Sequence, residues 1–187
     1  MRDAYIADYI NIYKENGKDG SGAGLVDKAE RIRLFGYDDK FSLLDYGCGW
    51  GAILSGINPK DYLGVDIVPQ AIELARKEFP DRHFEVLEIG KLKTEPKDFA
   101  IALSVFSHAL YSDVPDCLND ISSNLKTGGG AIIDILEGDK KPTLNIHYWN
   151  LDKFIEELAQ VGLKVLDSKK YTSSIGYVHT YLKLIKI

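Results

Sequence analysis

The chain has 187 residues, enough for one domain with a full hydrophobic core. Its content of 45% hydrophobic and 27% charged residues is typical of a soluble globular protein, and no signal peptide or long apolar span opens the sequence. The net charge of −5 argues against a protein that grips nucleic acid mainly through phosphates, and two widely separated cysteines argue against a disulfide framework or a zinc site. We therefore expect a single cytoplasmic domain with no metal, no membrane partner and no nucleic-acid partner.

The first part of the chain is predicted to form two helices joined by a glycine-rich loop. Apolar residues at spacings of three and four predict an amphipathic helix over 3–15 and a second helix over about 25–35. Residues 16–24 between them contain four glycines, which indicate a mobile segment. The sequence alone leaves open whether this segment is a plain linker or a loop that grips a ligand.

A glycine-rich turn follows the first predicted strand. Residues 41–44 form an apolar run that ends at an acid, and Gly47, Gly49 and Gly51 then occupy alternate positions. Glycines at this spacing allow a sharp turn and let a ligand lie directly on the main chain. Residues 52–54 are predicted to open a helix, whose first N–H groups would face an anionic group of that ligand.

A second acid strengthens the prediction of nucleotide binding. The short apolar strand over 63–67 contains Asp66, which lies 19 residues after Gly47. That separation is close to the roughly 20 residues expected for an acid that binds ribose hydroxyls. The alternative is a tight strand–helix turn followed by a solvated aspartate.

The rest of the chain alternates between helices and strands. Helices are predicted over 69–79, from 113 to a glycine run at 127–130, and over 151–161; further strands are predicted over 84–87, 99–105, 131–136, 164–166 and 180–187. The last strand alternates polar and apolar residues, as a half-exposed antiparallel strand does. This order predicts an α/β fold, with a mostly parallel sheet covered by helices on both faces.

Polar residues stand at the ends of four predicted strands: Asp45, Asp66, Glu88 and Ser104. Ligands of such sheets bind outside the carboxyl ends of the strands. We therefore expect these four side chains to line one crevice.

This order of features resembles the class I S-adenosylmethionine-dependent methyltransferases over about residues 17–137. The matching segments are Asp45-Tyr46-Gly47-Cys48-Gly49-Trp50-Gly51 for the first motif, Gly64-Val65-Asp66 for the ribose acid, 84–89 for the adenine segment, 98–108 for the fourth-strand motif and 125–129 for the loop before the fifth strand. Glu88 departs from the family pattern, which usually has aspartate there.

The resemblance implies a fold, a domain plan and a cofactor. The implied fold is Rossmann-like and doubly wound, with a seven-stranded, mostly parallel sheet and an antiparallel C-terminal strand. One domain over 1–187 would consist of a cap, 1–36, and a core, 37–187. The cofactor would be S-adenosyl-L-methionine, with S-adenosyl-L-homocysteine as its product.

The resemblance also implies a set of cofactor-binding residues. They are Asp45, Gly47, Cys48, Gly49, Gly51, Asp66, Ile67, Glu88, Ile89, Ser104 and, by similarity to a bacterial subgroup, Gly20, Ser21 and Gly22. Backbone N–H groups of the glycine turn suit the cofactor's carboxylate, Asp45 can attract its ammonium through water, and Asp66 can accept both ribose hydroxyls. Ile67 and Ile89 can pack on the faces of the adenine.

The rival hypothesis is an NAD-type dehydrogenase. Its glycine pattern is satisfied by Gly47, Gly49 and Ala52. That hypothesis leaves unexplained the acid before the first glycine, the glycine at 51 and the antiparallel tail.

Candidate residues for the chemistry lie after the fourth and fifth strands and in the last hairpin. A sulfonium methyl group is already activated, so the protein mainly aligns the nucleophile and excludes water, and a base is needed only when the nucleophile must lose a proton. His147, in an aromatic loop, and His108 are the predicted catalytic residues, each with a purely structural alternative; His179 lies in the last hairpin. Predicted substrate contacts are Tyr9, Tyr13, Ser107, Tyr111, Tyr148, Trp149 and Tyr177.

The sequence after the fourth strand also bears on the methyl acceptor. It reads Ser104-Val105-Phe106-Ser107, without the Asn/Asp-Pro-Pro-Tyr motif that is usual in relatives that methylate amino groups of bases or glutamine. We expect transfer to oxygen or nitrogen of a small molecule. The alternatives are a non-catalytic, cofactor-binding interaction module and a methyltransferase that acts on protein or RNA.

Overall fold

The computed structural model describes residues 6–8, 10–11, 25–138, 146–172 and 176–187. Residues 6–8 and 10–11 are helical, within the predicted helix over 3–15. Five predicted site residues lie outside the described residues: Tyr9, Tyr13, Gly20, Ser21 and Gly22.

In the described ranges, seven strands form one sheet. They are β1 (Ser42–Tyr46), β2 (Asp61–Asp66), β3 (His83–Val86), β4 (Lys97–Ala102), β5 (Leu125–Leu136), β6 (Leu163–Thr172) and β7 (Val178–Lys186). Their order in the sheet is β3-β2-β1-β4-β5-β7-β6. The first five strands pair in parallel, whereas β7 runs antiparallel to both β5 and β6. The predicted fold class, including the antiparallel C-terminal strand, is confirmed.

Helices connect the strands. They are α1 (Leu25–Leu34), α2 (Pro69–Glu78), α3 (Val114–Ser123) and α4 (Leu151–Gln160), with 3₁₀ helices at Ala52–Ser55 and Tyr111–Asp113. Proline at the first position of α2 has a φ angle that suits a helix start, and Asn150 caps α4 by accepting a hydrogen bond from the Lys153 N–H at 3.1 Å. In the part of the chain that the structure describes, no helix has the length and apolar character needed to cross a bilayer.

The sheet separates two apolar layers. Neighbouring residues of β1 face opposite sides, because successive side chains of a strand alternate: Leu43 packs with Ile32 of α1, and Leu44 packs in the layer that contains Leu118 of α3 and Phe154 of α4. Each such fully buried side chain contributes about 1.5–3 kcal/mol to stability. The helices therefore hold the sheet on both faces and leave its carboxyl edge for a site.

Of two predicted helix boundaries, one is found as a short 3₁₀ turn and one was wrong. The helix predicted to open at residues 52–54 does begin at Ala52, and it is a single 3₁₀ turn, Ala52–Ser55. The glycine run at 127–130 does not end a helix but continues β5, which begins at Leu125. A Cβ at Gly130 would lie 2.6 Å from a ring carbon of Phe99, so glycine allows close passage of the strand over that ring.

Candidate active site

The glycine turn after β1 is held by its own hydrogen bonds. Gly47, Gly49 and Gly51 have φ angles of 76°, 54° and 77°, in the left-handed region that favours glycine. The N–H groups of Gly47 and Cys48 both donate to the carbonyl of Val65, at 2.7 and 3.0 Å. The turn is therefore pinned to β2 without any ligand.

The hydrogen bonds within the turn bear on the prediction that its backbone N–H groups bind an anionic group. The Gly49 N–H donates to Asp66 Oδ2 at 2.9 Å, and the Gly51 N–H donates to the Cys48 carbonyl at 2.9 Å. Four of the N–H groups assigned to a carboxylate thus have partners within the protein. The following 3₁₀ turn is also too short to build a helix dipole, so the geometry does not support a helix-terminus anion site here.

Asp66, the last residue of β2, joins the glycine turn to the start of α2. Its Oδ2 accepts from the Gly49 N–H and its Oδ1 accepts from the Val68 N–H, each at 2.9 Å. A carboxylate oxygen has two lone pairs, so each oxygen can accept a further hydrogen bond from a vicinal diol. The two backbone bonds fix the direction in which those lone pairs point.

Asp45 lies buried within β1 rather than after it. Its Oδ2 accepts a hydrogen bond from the Tyr62 hydroxyl at 2.7 Å. Burial raises the pKa of the Asp45 carboxyl to about 7; the Tyr62 hydrogen bond opposes this, the charge of Asp66 adds to it, and Lys28 also opposes it. Asp45 is thus poised between its two protonation states near neutral pH, directly before the glycine turn.

The predicted adenine segment is only partly assembled. Ile67 and Ile89 are half-buried and pack against the same apolar layer, as two residues that sandwich a ring would. Glu88, by contrast, is exposed, and its Oε2 accepts from Lys91 Nζ at 2.7 Å, which holds the pKa of the Glu88 carboxyl below its usual range. Glu88 therefore does not join the other strand-end acids.

Ser104, just after β4, has an unusual backbone. Its φ angle of 61° lies in the left-handed region, which is uncommon for a residue with a side chain and typical of functional sites. Its N–H donates to Asp134 Oδ1 at 2.5 Å, and its carbonyl accepts from the buried Ser107 hydroxyl at 2.9 Å. These contacts stabilise the strained residue at the edge of the sheet.

An aromatic wall, defined as Tyr111, His147, Tyr148 and Trp149, stands beside this edge. The Tyr111 ring stacks on His147 at 4.9 Å and meets Trp149 edge-on at 4.7 Å. Its hydroxyl donates to the Tyr148 carbonyl at 2.7 Å. The wall therefore ties the loop after β4 to the loop after β5, and the Tyr148 ring lies 6.5 Å from that of Tyr177 in the last hairpin.

His147 is fixed within this wall. Only 5% of its surface is exposed, and its Nδ1 lies 2.5 Å from the Ala109 carbonyl oxygen. A carbonyl can only accept, so Nδ1 carries the proton and the neutral ring has its lone pair on Nε2. His108 lies in the tight turn after β4, where its backbone N–H donates to the Val105 carbonyl at 2.9 Å. Within the described ranges, no three His, Cys, Asp or Glu side chains are arranged to hold a metal ion.

Comparison with known families decides between the two nucleotide-binding hypotheses. A family model described as a methyltransferase domain matches residues 44–131, from β1 to β5. These residues, just under half of the chain, carry the methyltransferase domain and support a class I S-adenosylmethionine-dependent methyltransferase. The dehydrogenase hypothesis is thereby set aside, and S-adenosylmethionine is the cofactor that the site has to fit.

Several proteins share sequence or structure with this methyltransferase. A Mycobacterium tuberculosis protein whose name places it among the methyltransferases is 24% identical over 162 residues, which cover 80% of this chain and 92% of the relative. Magnesium protoporphyrin IX methyltransferase from Synechocystis, solved with S-adenosylhomocysteine, has a TM-score of 0.76 at 13% identity and covers 100% of this chain and 98% of its own.

A third protein, the 1,6-didemethyltoxoflavin N1-methyltransferase of Burkholderia thailandensis, was solved with bound 1,6-didemethyltoxoflavin and S-adenosylhomocysteine. Its TM-score is 0.77 at 18% identity, over 99% of this chain and 88% of its own. At these identities the two solved structures show a shared fold.

The structure brings together some predicted site residues and adds others. Asp45, the glycine turn, Asp66, Ile67 and Ile89 lie at one edge of β1 and β2, while Ser104, Ser107 and the aromatic wall lie beyond β4. Sequence reasoning missed Asp134, although an aspartate within the apolar run of residues 131–136 was a visible signal. It also gave no reason to pair Asp134 with His179, whose Nδ1 lies 2.6 Å from Asp134 Oδ2.

Gly47→Ala tests the packing of the glycine turn. A Cβ at Gly47 would lie 2.4 Å from Val105 Cγ2, on top of the left-handed φ angle. We expect the variant to lower the free energy of unfolding by about 2–3 kcal/mol in urea titrations, since overpacking and a strained φ each cost about 1 kcal/mol or more.

Gly128→Ala is the matched control, because Gly128 has a φ angle of 77° and its Cβ would meet nothing within 4 Å. Its free energy of unfolding should fall by only about 1 kcal/mol. Val105→Ala should restore part of the loss in the Gly47→Ala background. Equal losses at positions 47 and 128 would contradict the close contact between Gly47 and Val105.

Proposed function

We propose that this methyltransferase transfers a methyl group from S-adenosylmethionine to an oxygen or nitrogen atom of a small-molecule acceptor. The observation that carries the proposal is the pinned glycine turn, whose left-handed glycines and Asp66 contact form one rigid unit at the carboxyl edge of β1 and β2. When bound, S-adenosylmethionine supplies an activated sulfonium methyl group. The chain's own residues then have to bind the cofactor, orient the acceptor and exclude water.

The residues at this edge fit the parts of the cofactor. Asp66 would accept the two ribose hydroxyls, and Ile67 and Ile89 would pack on the adenine. Asp45 would attract the ammonium. The left-handed glycines let the backbone turn sharply at this edge, and at Gly47 the space that a Cβ would take is filled by the Val105 side chain.

Further cofactor contacts stay proposals. Cys48 is buried in the glycine turn, with its Sγ 3.4 Å from the Gly49 carbonyl, and would act by packing. Glu88 would have to leave Lys91 to reach the adenine. Gly20, Ser21 and Gly22 would cover the cofactor from the proposed cap, 1–36, although Ile32 of α1 already packs in the core.

The aromatic wall and its neighbours would line the acceptor side. Tyr111, Tyr148, Trp149, Tyr177 and Ser107 are the proposed contacts among described residues, together with Tyr9 and Tyr13. A flat, partly apolar acceptor would suit these rings. The 1,6-didemethyltoxoflavin bound to the Burkholderia thailandensis structural neighbour supports a small-molecule acceptor.

His147 and His108 stay proposed catalytic residues. The Nε2 lone pair of His147 suits a base, but its burial and its stacking on Tyr111 equally suit a role in holding the wall. We expect His147→Ala to reduce turnover about tenfold or more while cofactor affinity changes less, because the loss falls on the acceptor side. An unchanged turnover number would remove His147 as a base.

The proposed function is tested with cofactor labelled in the methyl group. The protein is incubated with a panel of small metabolites, and with protein and RNA fractions, and the label and S-adenosylhomocysteine are followed by chromatography. We expect label in small molecules. Label in protein or RNA would replace the small-molecule proposal, and tight cofactor binding without turnover, together with stable association with another chain, would indicate a non-catalytic interaction module.

A further inference from the structure

A buried carboxylate holds a histidine at the edge of β5 and β7. Asp134 is 1% exposed, and its Oδ2 lies 2.6 Å from Nδ1 of His179, whose side chain is 21% exposed. The other carboxylate oxygen of Asp134 accepts from the Ser104 N–H at 2.5 Å. Asp134 thus orients a partly open imidazole and the strained residue after β4 at the same time.

The pair lies on the acceptor side of the site. His179 is opposite Leu136, the last residue of β5, and so stands at the carboxyl edge of the sheet. Ser104 leads into Val105, the residue that meets the glycine turn at Gly47. In the sheet, β4 separates β1 from β5, which contains Asp134, and β7, which contains His179, lies next to β5. Neighbouring strands are about 4.8 Å apart. An acceptor that lies beyond the methyl group over β4 would meet this edge.

The pair has the chemistry of an oriented base. A carboxylate accepts from Nδ1–H, which leaves the lone pair of the neutral ring on Nε2 and stabilises the imidazolium that forms when Nε2 takes a proton. The nearby acid Glu137 accepts from Lys170 and from the Thr180 hydroxyl, so Asp134 is the acid that holds His179. His179 is therefore a partly exposed histidine that a buried aspartate holds in one orientation.

We propose that His179, rather than His147, is the general base of this methyltransferase, and that Asp134 is its positioning residue. The acceptor atom is then a hydroxyl oxygen. The inference rests on the proposed function and narrows it. A carboxylate acceptor is already an anion and an amine can lose its proton after transfer, whereas a hydroxyl must lose its proton as the new bond forms. A base fixed by a buried acid is therefore most useful for a hydroxyl.

In the transfer step one bond forms, one bond breaks and one proton moves to His179. His179 Nε2 takes the hydroxyl proton, the oxygen lone pair forms a bond to the methyl carbon, and the carbon–sulfur bond breaks with its electron pair going to sulfur. The products are a methyl ether, neutral S-adenosylhomocysteine and an imidazolium. The imidazolium returns its proton to water.

The test uses acceptors that differ only in the reacting group. Phenol, benzyl alcohol, aniline and benzoate, each with the same set of ring-substituted analogues, are assayed with methyl-labelled cofactor. We expect transfer to hydroxyl compounds, and a loss of about 100-fold or more in kcat for His179→Gln and His179→Ala, in the range of general-base effects. Their affinity for S-adenosylhomocysteine in calorimetry should stay within about twofold.

Further variants separate catalysis from structure. Imidazole added to His179→Ala should restore part of the rate, and Asp134→Asn, which can still accept from the Ser104 N–H, should lose about tenfold or more through the wrong tautomer of His179. His83→Gln is the matched control, because His83 forms an exposed pair with Glu85 at 2.8 Å on β3 and should keep its rate. In ¹⁵N NMR, His179 should be protonated on Nδ1 in the wild type.

Several results would overturn the inference while the proposed function stands. They are a wild-type rate for His179→Gln, an Nε2-protonated His179, transfer confined to aniline or benzoate compounds, or no transfer to any hydroxyl compound by a protein that binds S-adenosylhomocysteine. Failure to bind S-adenosylhomocysteine at all would instead contradict the proposed function.

Discussion

Replacing Asp66 by alanine is expected to weaken the binding of S-adenosylhomocysteine by about 100- to 10,000-fold, measured by calorimetry. A hydrogen bond to a charged group contributes about 1.5–3 kcal/mol, and the proposed ribose site loses two of them, while each 1.4 kcal/mol is a factor of ten in affinity. The same change removes the acceptors of the Gly49 and Val68 N–H groups, which fix the glycine turn.

Two variants show how much of that loss belongs to the ribose contact. Asp66→Asn keeps one acceptor oxygen and should lose less affinity than Asp66→Ala, by about a factor of ten. Asp81→Ala removes an exposed carboxylate from the turn before β3 and should bind as the wild type does. Unfolding of each variant without ligand reports the structural part. Wild-type affinity in Asp66→Ala would contradict the assignment of the ribose site.

The sheet was predictable because its signals are local. Apolar runs marked β1 to β5, and the alternation of polar and apolar residues near the C-terminus indicated the antiparallel β7. Only the start of β6, at residues 164–166, was marked. The error at 127–130 arose because a glycine run usually marks a turn. Here Gly130 packs against the Phe99 ring, which belongs to β4. The residues next to Gly130 in the sequence do not indicate this contact.

The cofactor side of the site was predictable for the same reason, and the acceptor side was not. The glycine turn and Asp66 lie in a short stretch whose spacing carries the geometry. Asp134, by contrast, meets residues 30 and 45 positions away, Ser104 and His179. No local pattern indicates that pairing, or the positive φ angle of Ser104.

The buried Asp45 should make the stability of the protein fall as pH rises. Its pKa is about 7 in the folded protein and 3.8 for a free side chain, so between these values the folded state holds a proton that the unfolded state has lost. Stability from this residue is therefore full below about pH 4, declines through pH 7 and is constant above it. A shift of three pKa units corresponds to about 4 kcal/mol.

Asp45→Asn isolates this effect from every other titrating group. Asparagine can still accept from the Tyr62 hydroxyl but carries no charge. We expect the free energy of unfolding of the variant, relative to the wild type, to rise by about 4 kcal/mol between pH 4 and pH 8 in urea titrations. A difference that does not change with pH would show that Asp45 is ionised in the folded protein throughout this range.

Loss of the Asp45 proton, which lowers the stability of the fold, should raise the affinity for the cofactor. The ammonium of the cofactor favours ionised Asp45, so affinity for S-adenosylhomocysteine should increase as pH rises from 6 towards 7.5, by up to about tenfold per pH unit below the pKa. The range stops short of pH 8, where an α-amino group itself begins to lose its proton.

Asp45→Asn should bind more weakly at pH 7.5 and show no such slope. A wild-type affinity that is flat over this range would remove Asp45 from the ammonium site and leave it a purely structural partner of Tyr62. If both slopes are found, Asp45 lowers the stability of the fold near neutral pH and is also needed by the cofactor in its charged form. Ligand binding then offsets the destabilisation that the buried charge causes.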